Sequence, residues 1–320
     1  MSAFAGRRVL VTGATGFIGS HLVERLARDG AEVHALVRAS ASHAKLEALR
    51  GRAREWEADI TDIGALRKAI AGARPEVVFH LAGDTGVRRV SEGWSGVERS
   101  VQVNLIGTLA LLRATLEATH AVSSFVRAGG LEEYGDGAVP YDEAQREQPI
   151  SPYSASQVAA THYCEMMQRG TETSIVTLRP ALVYGPGQST DFLIPNLITS
   201  CLRDQDFEMT SGTQKRDLLY IDDAVEAFVL AAARRARGVI NVGHGVQHAV
   251  RDVAEEIVRL SGTRAKLHVG ARSARARDLE ELVTRNDRAR ALLGWSPAVT
   301  LTDGLKRTIE SYRSQDAIAR

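Results

Sequence analysis

Short runs of apolar and β-branched residues alternate with longer stretches of helical periodicity through the first half of the chain. Strands are predicted at Val9–Thr12, Val33–Val37, Val77–His80, Ser124–Ala128 and Ser174–Leu178, and helices at Gly19–Asp29, Ile63–Ile70, Val101–Ala118 and Tyr153–Gln168. Alternation at this spacing means parallel strand-helix-strand units, and so an α/β fold with a doubly wound parallel sheet. After Arg179-Pro180 the texture changes. A Gly185-Pro186-Gly187 loop, a helix near Ile194–Arg203, a short strand around Asp217–Tyr220, an amphipathic helix at Val250–Leu260, a basic loop at Gly270–Arg277 and a last helix at Thr302–Tyr312 follow. The expected division is residues 1–180 as the first domain, with segments around 214–245 returning to it, and 181–320 as a smaller C-terminal domain.

A length of 320 residues agrees with two such units. Forty Lys and Arg against thirty-nine Asp and Glu leave a formal charge of +1, so no global field draws the protein to nucleic acid or to an anionic membrane, and any bound anion must be held by local groups. Cys164 and Cys201 are the two cysteines; they make no disulfide framework and no C-x-x-C pair, so no metal site is expected. The apolar run Val9–Val11 is too short for a signal peptide, and Ala227–Ala233 reads as a buried helix rather than a membrane span, which makes a reducing cytoplasm the expected address.

Gly13-Ala14-Thr15-Gly16-Phe17-Ile18-Gly19 follows a predicted strand and opens a predicted helix. Glycine lets the backbone turn sharply and approach a pyrophosphate, whose charge then rests on the free NH groups and positive dipole end of the helix. The G-x-x-G-x-x-G spacing resembles the extended branch of the short-chain dehydrogenase/reductase superfamily, the NAD(P)-dependent nucleotide-sugar epimerases and dehydratases with a Rossmann-type domain. Several segments carry the resemblance in order: Ala58-Asp59-Ile60-Thr61-Asp62, His80-Leu81-Ala82-Gly83, Val103-Asn104-Leu105-Ile106-Gly107-Thr108, Leu178-Arg179-Pro180-Ala181-Leu182-Val183-Tyr184-Gly185-Pro186-Gly187, Lys215-Arg216-Asp217-Leu218-Leu219-Tyr220-Ile221-Asp222-Asp223 and Leu293-Gly294-Trp295-Ser296-Pro297.

The resemblance implies that Gly13, Gly16, Phe17, Ile18 and Gly19 hold the pyrophosphate of NAD or NADP. It puts Asp59 and Ile60 at the adenine, Leu81, Ala82 and Gly83 beneath the adenine ribose, Asn104 as an anchor of the central helix, and Pro180 beside the cofactor. Where an NAD enzyme has an acid on the ribose diol, this chain has Arg38 and Ser40. A guanidinium there suits a 2′-phosphate and tilts the expectation toward NADP; the alternative is that Arg38 stacks on adenine while NAD binds.

Family members carry Tyr-x-x-x-Lys on one helix, one turn apart, where the lysine charge lowers the tyrosine pKa and its ammonium binds the nicotinamide ribose. This chain reads Tyr153-Ser154-Ala155-Ser156-Gln157. The tyrosine is kept, and the lysine is Gln157, which can bond a ribose hydroxyl but brings no cation. The catalytic Ser or Thr of relatives falls at Gly130, in the substrate site. Two losses in one triad fit either a silent binding protein or altered chemistry. Glu132 supports the second, because it aligns with the base that sugar 4,6-dehydratases use at C5; otherwise Glu132 and Glu133 form a solvated acidic loop, and Glu132-Glu133-Tyr134-Gly135 also occurs in keto-sugar reductases of the family. Were Gln157 a degraded lysine, Gln157→Lys would raise activity or lower its pH optimum. His162 lies on another face from Tyr153 and reads as a surface or core histidine.

On the substrate side the resemblance gives Arg216 a grip on the diphosphate and Arg275 a second one, although Arg272, Arg275 and Arg277 also read as a solvated basic run. Leu182 stands where relatives often have asparagine, and Phe192, Pro195 and Asn196 are expected to line the sugar or base pocket. The expected function is epimerisation or dehydration of a nucleoside-diphosphate sugar through a transient keto intermediate. The alternatives are an NADP-dependent keto-sugar reductase and a catalytically silent NAD(P)- and sugar-nucleotide-binding protein. The expected partner is the small-molecule substrate, with a homodimer built on the Val101–Ala118 and Tyr153–Gln168 helices.

Overall fold

The computed structural model describes residues 2–41, 47, 49–85, 93–273 and 279–319. In chain order its strands are β1 (Arg8–Thr12), β2 (Glu32–Val37), β3 (Arg54–Glu57), β4 (Val77–His80), β5 (Ser124–Ala128), β6 (Ser174–Pro180), β7 (Leu182–Tyr184), β8 (Phe207–Met209), β9 (Lys215–Tyr220), β10 (Gly238–Val242), β11 (Gln247–Ala249), β12 (Leu267–Val269) and β13 (Glu281–Leu282). Seven of them form one sheet in the order β10-β6-β5-β4-β1-β2-β3, and every neighbour pair is parallel. Parallel strands need crossover helices on both faces, so β1, β4, β5 and β6 are buried along almost their whole length. Strand order reverses between β1 and β4, the position where open α/β sheets leave a crevice beyond their carboxyl ends.

β3 and β10 complete this sheet beyond the five strands predicted for it. β3, with the sequence Arg-Glu-Trp-Glu, is a polar edge strand with no apolar alternation to betray it. β10 arrives from residues beyond Pro180 and pairs with β6, Gly238 opposite Val176 through Val242 opposite Pro180. The helix predicted at Val101–Ala118 is three pieces of a longer rod: an α-helix at Gly93–Ser100, a π-helical stretch at Val101–Ile106 and an α-helix at Gly107–Leu116. The wider turn leaves the Asn104 carbonyl to accept the Thr108 hydroxyl at 2.6 Å.

The rest of the chain forms a smaller layer. β9 is flanked by β11, β13 and β7, and β8 pairs with β12. Helices Leu193–Leu202, Val250–Ser261 and Leu301–Ala319 pack on one another. The helix Ile221–Ala233, mostly buried, lies against Phe17–Arg28 and joins both layers. Trp295, 2% exposed, donates its indole N–H to the Asp223 carbonyl at 3.0 Å, and the Asp223 carboxylate accepts from the backbone N–H groups of Ala298 and Val299. That clasp fixes the C-terminal segment to the helix shared by the two layers. Cys164 and Cys201 are both buried thiols. No helix among the described residues is long and apolar enough to cross a membrane.

Candidate active site

The glycine turn after β1 closes against the end of β4. Gly13 has φ of +69°, and a Cβ on it would stand 2.6 Å from the carbonyl carbon of Leu81 and 2.7 Å from the Ala82 nitrogen. A Cβ on Gly19 would overlap the Gly13 carbonyl oxygen. Helix Phe17–Arg28 starts at Gly16 with no side chain capping its first N–H groups and no acid in its first turn. An uncapped helix end beside an exposed glycine is a cradle that fits an anionic pyrophosphate. Arg38 stands exposed just past β2, and its charge helps hold the Asp59 carboxyl below its usual range after the larger contributions of the Thr61 hydroxyl and backbone N–H. Ile60 is buried beside Asp59.

Between the cradle and helix Pro152–Gln168 runs a buried polar row. Thr12, His80, Arg127 and Thr177 are register partners across β1, β4, β5 and β6. The Thr12 hydroxyl accepts from the Ala82 N–H at 3.1 Å and meets His80 Nδ1 at 2.8 Å, while His80 Nε2 meets the Thr108 hydroxyl at 2.8 Å. The Thr108 proton goes to the Asn104 carbonyl, so His80 must donate through Nε2 and accept through Nδ1. Burial first, and the charge of Arg127 second, push His80 down to about 3, so it stays neutral. The Asn104 amide accepts from the Asp84 N–H at 2.8 Å and donates to the Asp84 carbonyl and the Ser156 hydroxyl, tying the loop after Gly83 to helix Pro152–Gln168.

Helix Pro152–Gln168 is started by the sequence itself. Ser151 caps it, Ser154 answers in a reciprocal capping box, and Pro152 sits in the first turn where its missing N–H costs nothing. This sets Tyr153 and Gln157 on adjoining turns. Tyr153 is half-buried and Gln157 buried. Burial, followed by the carboxyls of Glu132 and Glu133, raises the Tyr153 pKa, and Arg127 and the Gln157 amide pull the other way.

The glycines at 129 and 130 have a physical reason. A Cβ on Gly130 would lie 2.5 Å from Glu132 Oε2 and 3.7 Å from the Tyr153 hydroxyl. The space a side chain at position 130 would need is therefore taken by the Glu132 carboxyl, and it adjoins Tyr153. A Cβ on Gly129 would overlap Glu133 Oε1 in the same way. The two glutamates nonetheless differ. Glu133 is fully buried and saturated: it accepts from the Gly130 N–H at 3.1 Å, the Thr161 hydroxyl at 2.8 Å and Arg179 at 2.9 and 2.7 Å. Arg179 reaches on to Glu147 at 2.6 Å and lies 4.5 Å from the centre of the Tyr134 ring, whose hydroxyl donates to Asn241. Glu132 is half-buried, and its pKa is raised, chiefly by burial and then by Glu133, against the pull of Arg216. The solvated acidic loop expected as one reading of this pair is not what forms.

Arg216 is buried on β9 and donates to the backbone carbonyls of Lys215 and Glu280. Its charge opposes the rise in the Glu132 pKa. Leu182, half-buried on β7, pairs with Leu218 two positions along from Arg216. Phe192 and Asn196 lie exposed one turn apart at the start of helix Leu193–Leu202, while Pro195 turns into the core. Pro180 closes β6 and is buried. Arg275 lies outside the described residues. His162 is an exposed partner of Glu147 at 3.4 Å.

One residue of this corner escapes the motif reading altogether. Arg127, 1% exposed, donates to Gln157 through both its side-chain and backbone oxygens and to the Thr161 hydroxyl at 2.9 Å. Its signal in the sequence is a single guanidinium inside the apolar strand Ser124–Ala128, a position that strand burial ordinarily forbids.

A parallel sheet with an uncapped glycine cradle at its switch point, and a tyrosine helix beside it, defines a dinucleotide-binding enzyme fold. The chain belongs to the NAD dependent epimerase/dehydratase family, whose model matches residues 9–243. It is 32% identical to the UDP-glucose 4-epimerase of Mycolicibacterium smegmatis, over 96% of this chain and 99% of that protein. Against the dTDP-D-glucose 4,6-dehydratase of Mus musculus it is 29% identical, over 96% of this chain and 89% of the other. Among solved structures, MoeE5 in complex with UDP-glucuronic acid and NAD superposes with a TM-score of 0.84 at 33% identity, over 96% of this chain and 99% of that one.

Proposed function

We propose that this protein is an NAD(P)-dependent enzyme that epimerises or dehydrates a nucleoside-diphosphate sugar through a transient keto intermediate. The observation that carries the reading is the adjacency of two groups suited to proton transfer: the Glu132 carboxyl fills the place a side chain at Gly130 would take, and the Tyr153 hydroxyl adjoins that place. Tyr153 exchanges the proton of the sugar hydroxyl that becomes the ketone. Glu132, whose buried carboxyl holds its proton more tightly than an ordinary glutamate, suits removal and return of a carbon-bound proton made acidic by that ketone. The dinucleotide, when bound, supplies the reversible hydride acceptor.

Gly13, Gly16, Phe17, Ile18 and Gly19 hold the pyrophosphate; Asp59, Ile60, Leu81, Ala82 and Gly83 line the adenosine side; Asn104, Gln157 and Pro180 complete the cofactor site. Arg38 favours NADP by pairing with a 2′-phosphate. Arg216 takes the substrate diphosphate, with Leu182, Phe192 and Asn196 facing the sugar nucleotide and Arg275 as a second basic group. In this reading residues 1–180 with the returning helix Ile221–Ala233 and β10 form the cofactor unit; β9, which falls within the returning segments 214–245 expected from the sequence, belongs by its pairing to the substrate unit with the remainder. Val101, Ile106, Tyr163, Met166 and Met167 are exposed apolar residues on the two long helices, which supports a homodimer through that face, and the expected address is the cytoplasm.

The test is chromatographic separation and mass spectrometry of products from a panel of UDP-, GDP-, CDP- and dTDP-sugars, in which retention reads an isomer and mass reads loss of water. An isomer, or a product lighter by one water, formed with no net consumption of cofactor is expected. Stoichiometric oxidation of added NADPH by a keto-sugar would instead make the protein a reductase, which Arg38 favours. Binding without turnover of any member would make it a silent binding protein.

A further inference from the structure

The loss of lysine at position 157 removes a cation from the helix, and the buried corner holds another. Arg127 enters from β5, where its register partners are His80 on β4 and Thr177 on β6. Taking a guanidinium out of water is costly unless its charge is used or answered. Its hydrogen-bond acceptors among the described residues are all uncharged: the Thr161 hydroxyl at 2.9 Å, the Thr177 hydroxyl at 3.5 Å, the Gln157 carbonyl at 3.3 Å and the Gln157 side-chain oxygen. The Glu133 carboxylate is joined to it only through Thr161, whose hydroxyl donates to Glu133, and that carboxylate is already engaged by Arg179.

The consequence for Gln157 is geometric. A glutamine amide has one accepting end and one donating end, and Arg127, which can only donate, takes the accepting end. The Nε2 end therefore faces away from Arg127. It lies 3.8 Å from where a Cβ on Gly83 would stand, beside the loop at the end of β4. Toward the cleft, Gln157 thus offers donors alone, as a lysine would, and the positive charge stands directly behind it. The charged groups that face Tyr153 are Glu132 and Glu133 from the turn after β5, which raise its pKa, and Arg127, which with Gln157 lowers it. His80 is neutral, Arg179 is occupied by Glu133 and Glu147, and Arg216 faces Glu132.

We infer that Arg127 is a positioning residue for the Tyr153 proton-transfer site: it supplies from β5, through the oriented Gln157 amide, the charge and donor that a lysine at position 157 would supply from the helix. The inference rests on the proposed role of Tyr153. It also reverses one expectation drawn from the motif. In the single variant Gln157→Lys an ammonium would be pressed against the Arg127 guanidinium, so no gain in activity is expected from it.

The test replaces Tyr153 by 2,3,5-trifluorotyrosine in the full chain, which brings phenol ionisation into an accessible pH range, and follows the single 19F-labelled site by NMR. Arg127→Met is expected to raise the ionisation midpoint by at least one pH unit, a tenfold loss in ionisation constant, and Arg127→Lys to leave it within about half a unit. Arg127→Met combined with Gln157→Lys is expected to bring the midpoint back to the unsubstituted value. A folded Arg127→Met protein with an unmoved midpoint would overturn the inference and leave Arg127 as packing alone. Should Arg127→Met not fold, the combined variant decides: a midpoint more than one unit above the unsubstituted value overturns it, and so does failure of that variant to fold while Arg127→Lys folds with a raised midpoint. Because the probe reads ionisation without turnover, an inactive product panel with an intact Arg127 effect would sink the proposed activity and spare this inference.

Discussion

The cradle after β1 and the corner after β5 are both made by leaving out side chains, but the vacated space is used in opposite ways. At Gly13 and Gly19 the missing Cβ atoms let backbone meet backbone, and the outcome is a helix end with uncapped N–H groups. At Gly129 and Gly130 the space is refilled by the carboxyl groups of Glu133 and Glu132. Absence of a side chain is therefore the binding feature in the first region. In the second it is the condition for a different side chain to arrive. A position that reads as a loss in a motif can be the footprint of a gain three-dimensionally adjacent to it.

The sharpest way to break the corner is through its frame. Glu133→Gln removes one partner of a buried pair while Arg179 stays charged, at a cost of about 3 kcal/mol or more. The midpoint of thermal unfolding should fall by on the order of 5 to 10 °C. A fall of under 2 °C would mean that Glu147, which takes one of the three hydrogen bonds Arg179 gives to carboxylates, satisfies it alone. The matching attack on the cradle is Gly13→Ala. A left-handed alanine with its Cβ against Leu81 should cost about 2 to 4 kcal/mol and abolish dinucleotide binding in calorimetry. Unchanged affinity would show that the turn has another conformation open to it.

Acid separates the two carboxyl types within the corner. Burial alone would push Glu147 up, but the hydrogen bond and charge of Arg179 draw it below the ordinary glutamate value. Its contribution to stability is complete above its unfolded pKa and is lost as pH falls through the lower, folded one. Glu132 is raised, so it favours the fold fully below its unfolded pKa, and that contribution is lost as pH rises through the folded one. Glu132→Gln should therefore raise the thermal midpoint at neutral pH while turnover falls. The gain should vanish in acid below the usual glutamate range, where both side chains are neutral. A variant no more stable than the parent at neutral pH would argue that the Glu132 charge is answered in the fold, by Arg216. The smallest effect belongs to the exposed edge of the cradle. Arg38→Ala should weaken NADP binding by about tenfold and NAD binding far less, as read in parallel fluorescence titrations. Equal losses would assign Arg38 to stacking on adenine.

Much of the cradle was legible in the chain because its determinants are local. Gly13, Gly16 and Gly19 follow a β-branched strand within a few residues, and the Ser151-Pro152-Tyr153-Ser154 start of helix Pro152–Gln168 encodes its own cap. The strands β1, β2, β4, β5 and β6 announce themselves through continuous apolar runs, since strands buried on both faces need them. β3 does not, because an edge strand draws its conformation from pairing with β2.

The sequence by itself determined the α/β order, the glycine turn, the family, and that Gln157 and Gly130 stand where the family resemblance leads one to expect a lysine and a hydroxyl. Only the tertiary structure decided what stands in their places. Glu132 reaches the point above Gly130 from the turn that follows it, and Arg127 reaches Gln157 across 30 residues from a neighbouring element. Charge and hydrogen bonding act through space over a few ångströms. A motif reads spacing along the chain, so it registers a charge deleted from a helix and has no means of registering its replacement from a strand.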